Sequence, residues 1–192
     1  MHLYDVALFL HIATLLTAIG LGTTLHHAEW QTRSATTVQE LRVMTRVLSK
    51  GVLFPPILLV LFGTGAWLLH LSKKEDEQFH FSDPWVWTAI VAIVLLFISG
   101  GAVLGRHAGG YRKLLAATPD GSIPAEVRAE TFRTDTWVTS HMNTALAISV
   151  VFNMVTKPSD DLSAIVTVVI GFVAGCLIGA WALQRAKATT TG

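Results

Sequence analysis

Stretches without any charged residue recur along this chain, and the charged residues concentrate in the segments between them. Each stretch holds 20 to 22 residues, which is enough for a helix to cross the roughly 30 Å hydrocarbon core of a bilayer. The five stretches are residues 6–25, 51–71, 84–105, 136–156 and 162–183. The pattern therefore predicts an all-α, polytopic membrane protein with five transmembrane helices.

Sequence signals in the connections predict that two helices begin before the membrane. Thr37 and Glu40 have the spacing of a capping box, so we expect a helix to begin there and to run into the second span. We expect a kink in it at residues 55–56, which are both proline. Ser122 can cap a helix with Pro124 in its first turn, and we expect that helix to continue into the fourth span.

The first four spans are expected to form an antiparallel four-helix bundle that takes up residues 1–158. The last span is rich in Val, Ile and Gly and has no ionisable residue before Arg185. We interpret it as a fifth, peripheral transmembrane helix, followed by a short cytoplasmic tail, within residues 159–192.

Lysine and arginine are distributed unequally between the two sides of the predicted bundle. The segments after spans one, three and five hold eleven of them, whereas the opposite side holds three, which are Lys73, Lys74 and Lys157. Positive residues are retained on the cytoplasmic side of a membrane. We therefore expect a cell (inner) membrane protein with its N-terminus outside and its C-terminus in the cytoplasm.

Composition narrows the classes of function. Hydrophobic residues make up 52% of the chain and charged residues 14%, against about 25% charged in a typical soluble domain, so membrane lipid is the expected surrounding. The net charge of +1 argues against a nucleic-acid-binding surface. Cys176 is the single cysteine, which rules out an internal disulfide and a cluster of thiolate metal ligands.

Histidines within the apolar stretches are the strongest chemical signal. His11 lies inside the first span, where an ionisable side chain normally faces the protein interior and has a partner. His141 enters the fourth span beside Ser140 and Asn143, which could support it. Because inward-facing histidines hold haem in membrane bundles, we interpret His11 and His141 as metal ligands. Further axial candidates, for which a solvated histidine is the alternative, are His26, His107 and His70.

These histidines fall at two depths when residues are counted along each helix. His11 and His70 belong to an outer group, with His80 as a further candidate. The inner group consists of His26, His27, His107 and His141. One haem b with a single strong ligand and two haems at two depths both fit this division. We expect an outer haem on His11 and an inner site that draws on His141 with His26 or His107.

Small residues share one face of the first helix with His11. Ala18 and Gly22 leave room for a flat macrocycle below the imidazole, and close helix packing is the alternative explanation. A basic group follows the third span on the inner side and consists of Arg106, Arg112 and Lys113. Anionic lipid headgroups explain that group most simply, and haem propionates are the alternative because arginine pairs well with carboxylates.

Short motifs run through the first four spans, namely Leu-His-Ile at 10–12, His-Ala-Glu at 27–29, Phe-Pro-Pro at 54–56, Phe-Gly-Thr-Gly at 62–65, Gly-Arg-His at 105–107, Tyr-Arg-Lys at 111–113 and Lys-Pro at 157–158. They resemble the motifs of HemJ-type protoporphyrinogen oxidases. CopD-like copper-resistance domains and predicted integral membrane proteins of unknown function share the general pattern. The resemblance covers roughly residues 5–158 and implies a haem b held by the histidine that matches His11. That family also needs a lysine early in its third helix, where this chain has Ala89 or a neighbour.

Three functions compete at this point. Our leading interpretation is a b-type haem protein that moves electrons within or across the membrane, with a quinone or a redox protein as its partner. A HemJ-like porphyrinogen oxidase is the second, and the missing lysine counts against it. A haem-free transporter or accessory subunit, for example in copper handling, is the third, and the lack of a Met or Cys cluster counts against it. Assembly as a homo-oligomer is compatible with all three.

Overall fold

Eight α-helices make up the part of the chain that the computed structural model describes, residues 2–72 and 79–190. They are α1 (Leu3–Ser34), α2 (Val38–Leu48), α3 (Phe54–Ser72), α4 (Pro84–Ser99), α5 (Arg106–Ala117), α6 (Ala125–Thr131), α7 (Thr134–Thr156) and α8 (Asp161–Thr190). A 3₁₀ turn, Ser49–Leu53, joins α2 to α3, and a π-helical stretch, Gly100–Gly105, joins α4 to α5.

Five helical segments are long and apolar enough to cross a membrane. They are Leu3–Ser34, Val38–Ser72, Pro84–Ala117, Ala125–Thr156 and Asp161–Lys187. Large apolar side chains such as Phe9, Leu59 and Leu177 are exposed on their surfaces, as expected where lipid replaces water. The predicted all-α architecture with five spans is confirmed.

Successive spans run in opposite directions, so the helix ends lie at two faces. The amino-terminal face holds the start of α1, the end of α3, the start of α4 and the turn between α7 and α8. The carboxy-terminal face holds the end of α1, the short helices α2, α5 and α6, and the end of α8. The side of the membrane that each face meets stays a prediction, and Lys73 and Lys74, on which it partly depends, lie outside the described residues.

The fifth span packs along the fourth with almost no side chain between the two backbones. A Cβ atom added to Gly175 would lie 2.5 Å from the Cα of Met142, and one added to Gly171 would lie 2.7 Å from the hydroxyl of Ser149. Asn153 of α7 donates to the Ala164 carbonyl of α8 at 3.0 Å. α4 also packs on α7 and α8, whereas α1 packs along α3. Small residues thus allow the close approach that stabilises helix pairs in lipid.

A small folded cap covers the carboxy-terminal face. Its apolar core comes from the end of α1 and from α2, α5 and α6, and consists of Ala35, Val38, Leu41, Tyr111, Leu115 and Val127. Arg42 donates to the Leu115 carbonyl at 3.1 Å and pairs with Asp120. Arg128 donates to the Ala35 carbonyl at 2.8 Å. These bonds connect the second span to the third and the fourth span to the first at this face.

The predicted start of the second helix is confirmed, and its interruption lies slightly earlier than expected. The Thr37 hydroxyl accepts from the Glu40 backbone, and the Glu40 carboxylate accepts from the Thr37 backbone, each at 3.3 Å. The 3₁₀ turn comes just before Pro55 and Pro56, which lie in the first turn of α3. Because proline lacks an N–H and clashes with the carbonyl four residues earlier, the regular helix breaks ahead of the prolines.

The prediction of one unbroken helix from Ser122 into the fourth span was wrong. Pro124 caps α6, Ser122 instead forms an isolated bridge with Thr37, and the helix breaks at residues 132–133. The break buries Phe132 against α7 and α8, beside Trp137 and Leu183. The indole N–H of Trp137 also donates to the Thr131 carbonyl at 2.9 Å, which satisfies the end of α6.

Candidate functional site

The first candidate site, here called the His11 site, lies between α1 and α3 toward the amino-terminal face. Nδ1 of His11 lies 3.1 Å from the hydroxyl oxygen of Thr64. Gly65 allows this approach, because a Cβ atom there would lie 3.2 Å from Cε1 of His11. The imidazole is half-buried and is held at one nitrogen by the neighbouring helix.

The hydrogen bonds of the Thr64 hydroxyl favour the tautomer of His11 that carries its proton on Nδ1. That hydroxyl has one proton, and it donates to the Val60 carbonyl at 2.9 Å. Its oxygen is therefore the acceptor for Nδ1–H of His11, which leaves the lone pair on Nε2. No described residue hydrogen-bonds that Nε2 atom. Metal-ligating histidines have this arrangement, with one ring nitrogen donating to the protein and the other facing the metal.

The second candidate site, here called the His141 cluster, joins α1 to α7 near the carboxy-terminal face. The His26 and His141 rings meet edge to face with their centroids 4.8 Å apart. The Ser140 hydroxyl donates to a carboxylate oxygen of Glu29 at 2.5 Å, and the same oxygen lies 3.5 Å from Nδ1 of His26. Arg33 completes the cluster.

The two histidines of this cluster differ in what their nitrogens can still bind. Nδ1–H of His141 donates to the Trp137 carbonyl at 2.9 Å, so its Nε2 atom carries the lone pair. Nε2 of His26 instead accepts from the indole N–H of Trp30 at 3.0 Å, so its lone pair is already engaged. His141 is therefore the better ligand of the two in this arrangement.

Arg33 lies between two indole rings. Its guanidinium carbon is 3.6 Å from the Trp30 ring centre and 4.0 Å from that of Trp137. Within the described part of the chain, its Nε and Nη2 atoms are buried without a hydrogen-bond partner, and so is Oε1 of Glu29. Buried donors normally have an acceptor. Two N–H groups are thus available beside His141 for an anionic group.

The two sites are too far apart to share one iron. His26 contacts His141, and His11 is 15 residues before His26 on the same unbroken helix. At 1.5 Å per residue this separation is about 22 Å along the helix axis. His26 and His141 cannot lie across one iron as placed, because two metal–nitrogen bonds of about 2 Å put even the ligating atoms roughly 4 Å apart and the ring centres farther.

The remaining predicted residues are not brought to either site. His107 stacks on Tyr111 and lies 3.6 Å from a carboxylate oxygen of Glu130, in a separate cleft. His70 is exposed at the amino-terminal face. The basic group is exposed at the opposite face and consists of Arg106, Arg112 and Lys113. Of these three residues, Arg106 lines the cleft.

No group of three or more His, Cys, Asp or Glu side chains in the described part of the chain is arranged to hold a bare metal ion. A porphyrin iron differs, because the macrocycle supplies four nitrogens and the protein supplies one or two. Single histidines such as His11 and His141 could supply such a ligand.

Several residues of these sites were not among the predicted site residues. Thr64 is the partner of His11, and an antiparallel register would have found it, since His11 is eight residues after the start of α1 and Thr64 eight before the end of α3. Glu29 and Arg33 follow His26 at spacings of three and seven, which place them on its helix face. Asn143, expected to support His141, instead accepts from Ser99 at 2.7 Å.

Comparison with known families gives a match to this chain. The family model described as "Predicted integral membrane protein (DUF2269)" matches residues 5–158, which is the part that holds both candidate sites. The comparison with curated proteins found no match. The comparison with solved structures found none either.

Proposed function

The chain belongs to the DUF2269 family of predicted integral membrane proteins, and we propose that it is a b-type haem protein that carries electrons in the membrane. The observation that carries this proposal is the orientation of His11. Its Nδ1–H is donated to Thr64, and its Nε2 lone pair has no partner among the described residues. A histidine inside an apolar span that presents an unshared lone pair would be suited to hold a haem iron.

A second haem at the His141 cluster extends the proposal to transfer across the membrane. Nε2 of His141 has the same unshared lone pair as His11. The buried N–H groups of Arg33 fit a propionate carboxylate, because arginine pairs with carboxylates through two parallel hydrogen bonds. Arg33 is a better propionate partner than Arg106, Arg112 or Lys113, none of which is in contact with the cluster.

Haem b, when bound, supplies a one-electron Fe(III)/Fe(II) couple. The chain's own residues set where that couple lies. His11 and His141 are separated by about 22 Å along the bundle, which is most of the hydrocarbon thickness. With the N-terminus outside, as the Lys and Arg distribution predicts, His11 lies near the outer surface. A carrier of this kind exchanges electrons with a membrane quinone or a redox protein.

The test is the haem content of the purified full-length chain, produced with added haem precursor. We expect a Soret band, b-type bands after dithionite reduction, and two haems per chain by pyridine haemochrome analysis. Replacement of His141 by Ala should lower the count to one. A chain without any Soret band would contradict the haem proposal. One haem per chain, unchanged in His141→Ala, would contradict the second site.

A further inference from the structure

A cleft of about 510 Å³ opens at the carboxy-terminal face, between the α4–α5 helix and the junction of α6 with α7. This volume is within the range of small-molecule sites. Its lining combines apolar residues such as Ala102, Val103 and Leu114 with charged ones such as Arg106 and Glu130. The cleft does not include His11, His26 or His141 and plays no part in the proposed haem sites.

The charges that line the cleft are balanced. Arg106 and Arg133 are positive, whereas Glu130 and Asp135 are negative. Arg133 donates to Asp135 at 2.7 Å and lies 3.6 Å from Glu130. Arg106 is exposed. A purely anionic ligand would meet two carboxylates here, and a purely cationic one would meet two guanidinium groups. The lining fits a ligand that carries one charge of each sign.

The position of the cleft relative to the membrane indicates that this ligand comes from the lipid bilayer. One uncharged stretch runs through α4 and the π-helical segment. It ends at Gly105, and Arg106 is the next residue. The cleft therefore lies at the level where lipid headgroups meet the end of a span. The π-helical stretch Gly100–Gly105 supplies the apolar wall, and such irregular turns are frequent at functional sites.

We propose that this cleft binds the headgroup of an aminophospholipid, that is, a phosphodiester joined to a primary ammonium. The phosphodiester accepts hydrogen bonds from Arg106 and from the side chain of His107. The ammonium donates to Glu130, which is 40% exposed and so accessible from the cleft. The acyl chains pass Ala102 and Val103 into the bilayer. The number of N–H groups on the headgroup sets the specificity, because a trimethylated ammonium has none to donate to Glu130.

The experiment is native mass spectrometry of the full-length protein in detergent, titrated with dioleoyl phosphatidylethanolamine, phosphatidylcholine or phosphatidylglycerol. We expect phosphatidylethanolamine to bind about ten-fold more tightly than phosphatidylcholine, which is the effect of one hydrogen bond to a charged group. Glu130→Gln should remove this preference, whereas Arg106→Gln should weaken the binding of both zwitterionic lipids, because both carry the phosphodiester. Arg112→Gln is the matched control, because Arg112 is exposed on the same helix and does not line the cleft.

Equal binding of the three lipids by the unaltered protein would overturn the proposal, and so would a preference for phosphatidylglycerol. An unchanged affinity for phosphatidylethanolamine in Arg106→Gln would also overturn it, and this exposed residue can be replaced without disturbing the packing of the fold. The proposal is independent of haem, since the lipid preference is measured equally on a haem-free preparation.

Discussion

The surroundings of His11 and His141 differ although the two side chains present the same free nitrogen. His11 is held by one hydroxyl and one glycine of the neighbouring helix. His141 lies among charged and aromatic residues, and its backbone is pressed against α8, where a Cβ atom on Gly175 would lie 2.8 Å from the His141 carbonyl. The His11 imidazole is therefore oriented by local contacts with α3, whereas the position of His141 depends on the packing of α7 against α8. A single substitution should therefore affect haem binding at one site and leave the other site unchanged.

The largest effect is expected where the backbones of α7 and α8 meet. Gly175→Leu places a side chain within 2.5 Å of the Met142 Cα atom, which cannot move unless the helices separate. We expect a loss of at least about 3 kcal/mol of stability, at the upper end of overpacking costs. Thermal unfolding in detergent measures it. Gly20→Leu is the control, because a Cβ atom there meets nothing within 4 Å. Equal melting temperatures for the two variants would contradict the close packing.

A smaller effect is expected at the partner of His11. Thr64→Val keeps the shape of the side chain but removes the acceptor of Nδ1–H. Loss of such a supporting hydrogen bond typically lowers metal affinity about 10- to 100-fold. Titration of the haem-free protein with haem measures the change. Thr14→Val is the control, since the Thr14 hydroxyl donates to the carbonyl of Leu10 within its own helix. The same affinity in both variants would show that Thr64 does not orient the ligand.

Crowding the His11 ring should have a lesser effect than loss of its partner. Gly65→Ala puts a methyl group 3.2 Å from Cε1 of His11, so the ring must shift by a few tenths of an ångström. We expect haem affinity between those of the unaltered protein and Thr64→Val. Gly63→Ala, at which a methyl group meets nothing within 4 Å, should leave the affinity unchanged. If Gly63→Ala lowered the affinity more than Gly65→Ala, the placement of His11 against Gly65 would be contradicted.

The smallest effect is expected for the bond that joins α1 to α7. Ser140→Ala removes the donor to Glu29. Hydrogen bonds between membrane helices contribute on average about 0.6 kcal/mol, because the separated helices find other partners. The free energy of unfolding in a denaturing detergent should fall by about that amount, with Thr144→Ala, an exposed residue one turn later, as the control. A loss of stability as large as that of Gly175→Leu would mean that the polar cluster, not the glycine contact, holds α7.

The sequence predicted the helices better than their contacts. Five spans follow from uncharged stretches alone, because the membrane requires this composition whatever the packing. The helix start at Thr37 follows from the local capping pattern. The break before Arg133 does not, because it depends on where Phe132 is buried relative to α8. The charged residues of α6 continue a helical pattern through it.

In the two candidate sites, the sequence likewise indicates the residues that a local pattern marks but not the contacts that depend on helix packing. His11 and His141 were found from their positions inside apolar spans. The sandwich of Arg33 between Trp30 and Trp137 depends on the pairing of α1 with α7, which no local pattern encodes. A four-residue spacing of glycines is visible in the sequence at Gly171, Gly175 and Gly179. The sequence does not show which helix these glycines face. The contacts between helices are therefore the part that only the structure supplies.

The central claim is that His11 is a haem ligand, and the haem content of His11→Ala tests it most directly. The matched control is His27→Ala, since His27 is exposed on the same helix. Both variants are purified full length, and haem is counted by the pyridine haemochrome method. The account predicts that His11→Ala loses the outer haem and keeps the haem at His141, whereas His27→Ala keeps both. A His11→Ala protein with the same haem content and reduced spectrum as the unaltered chain would contradict it.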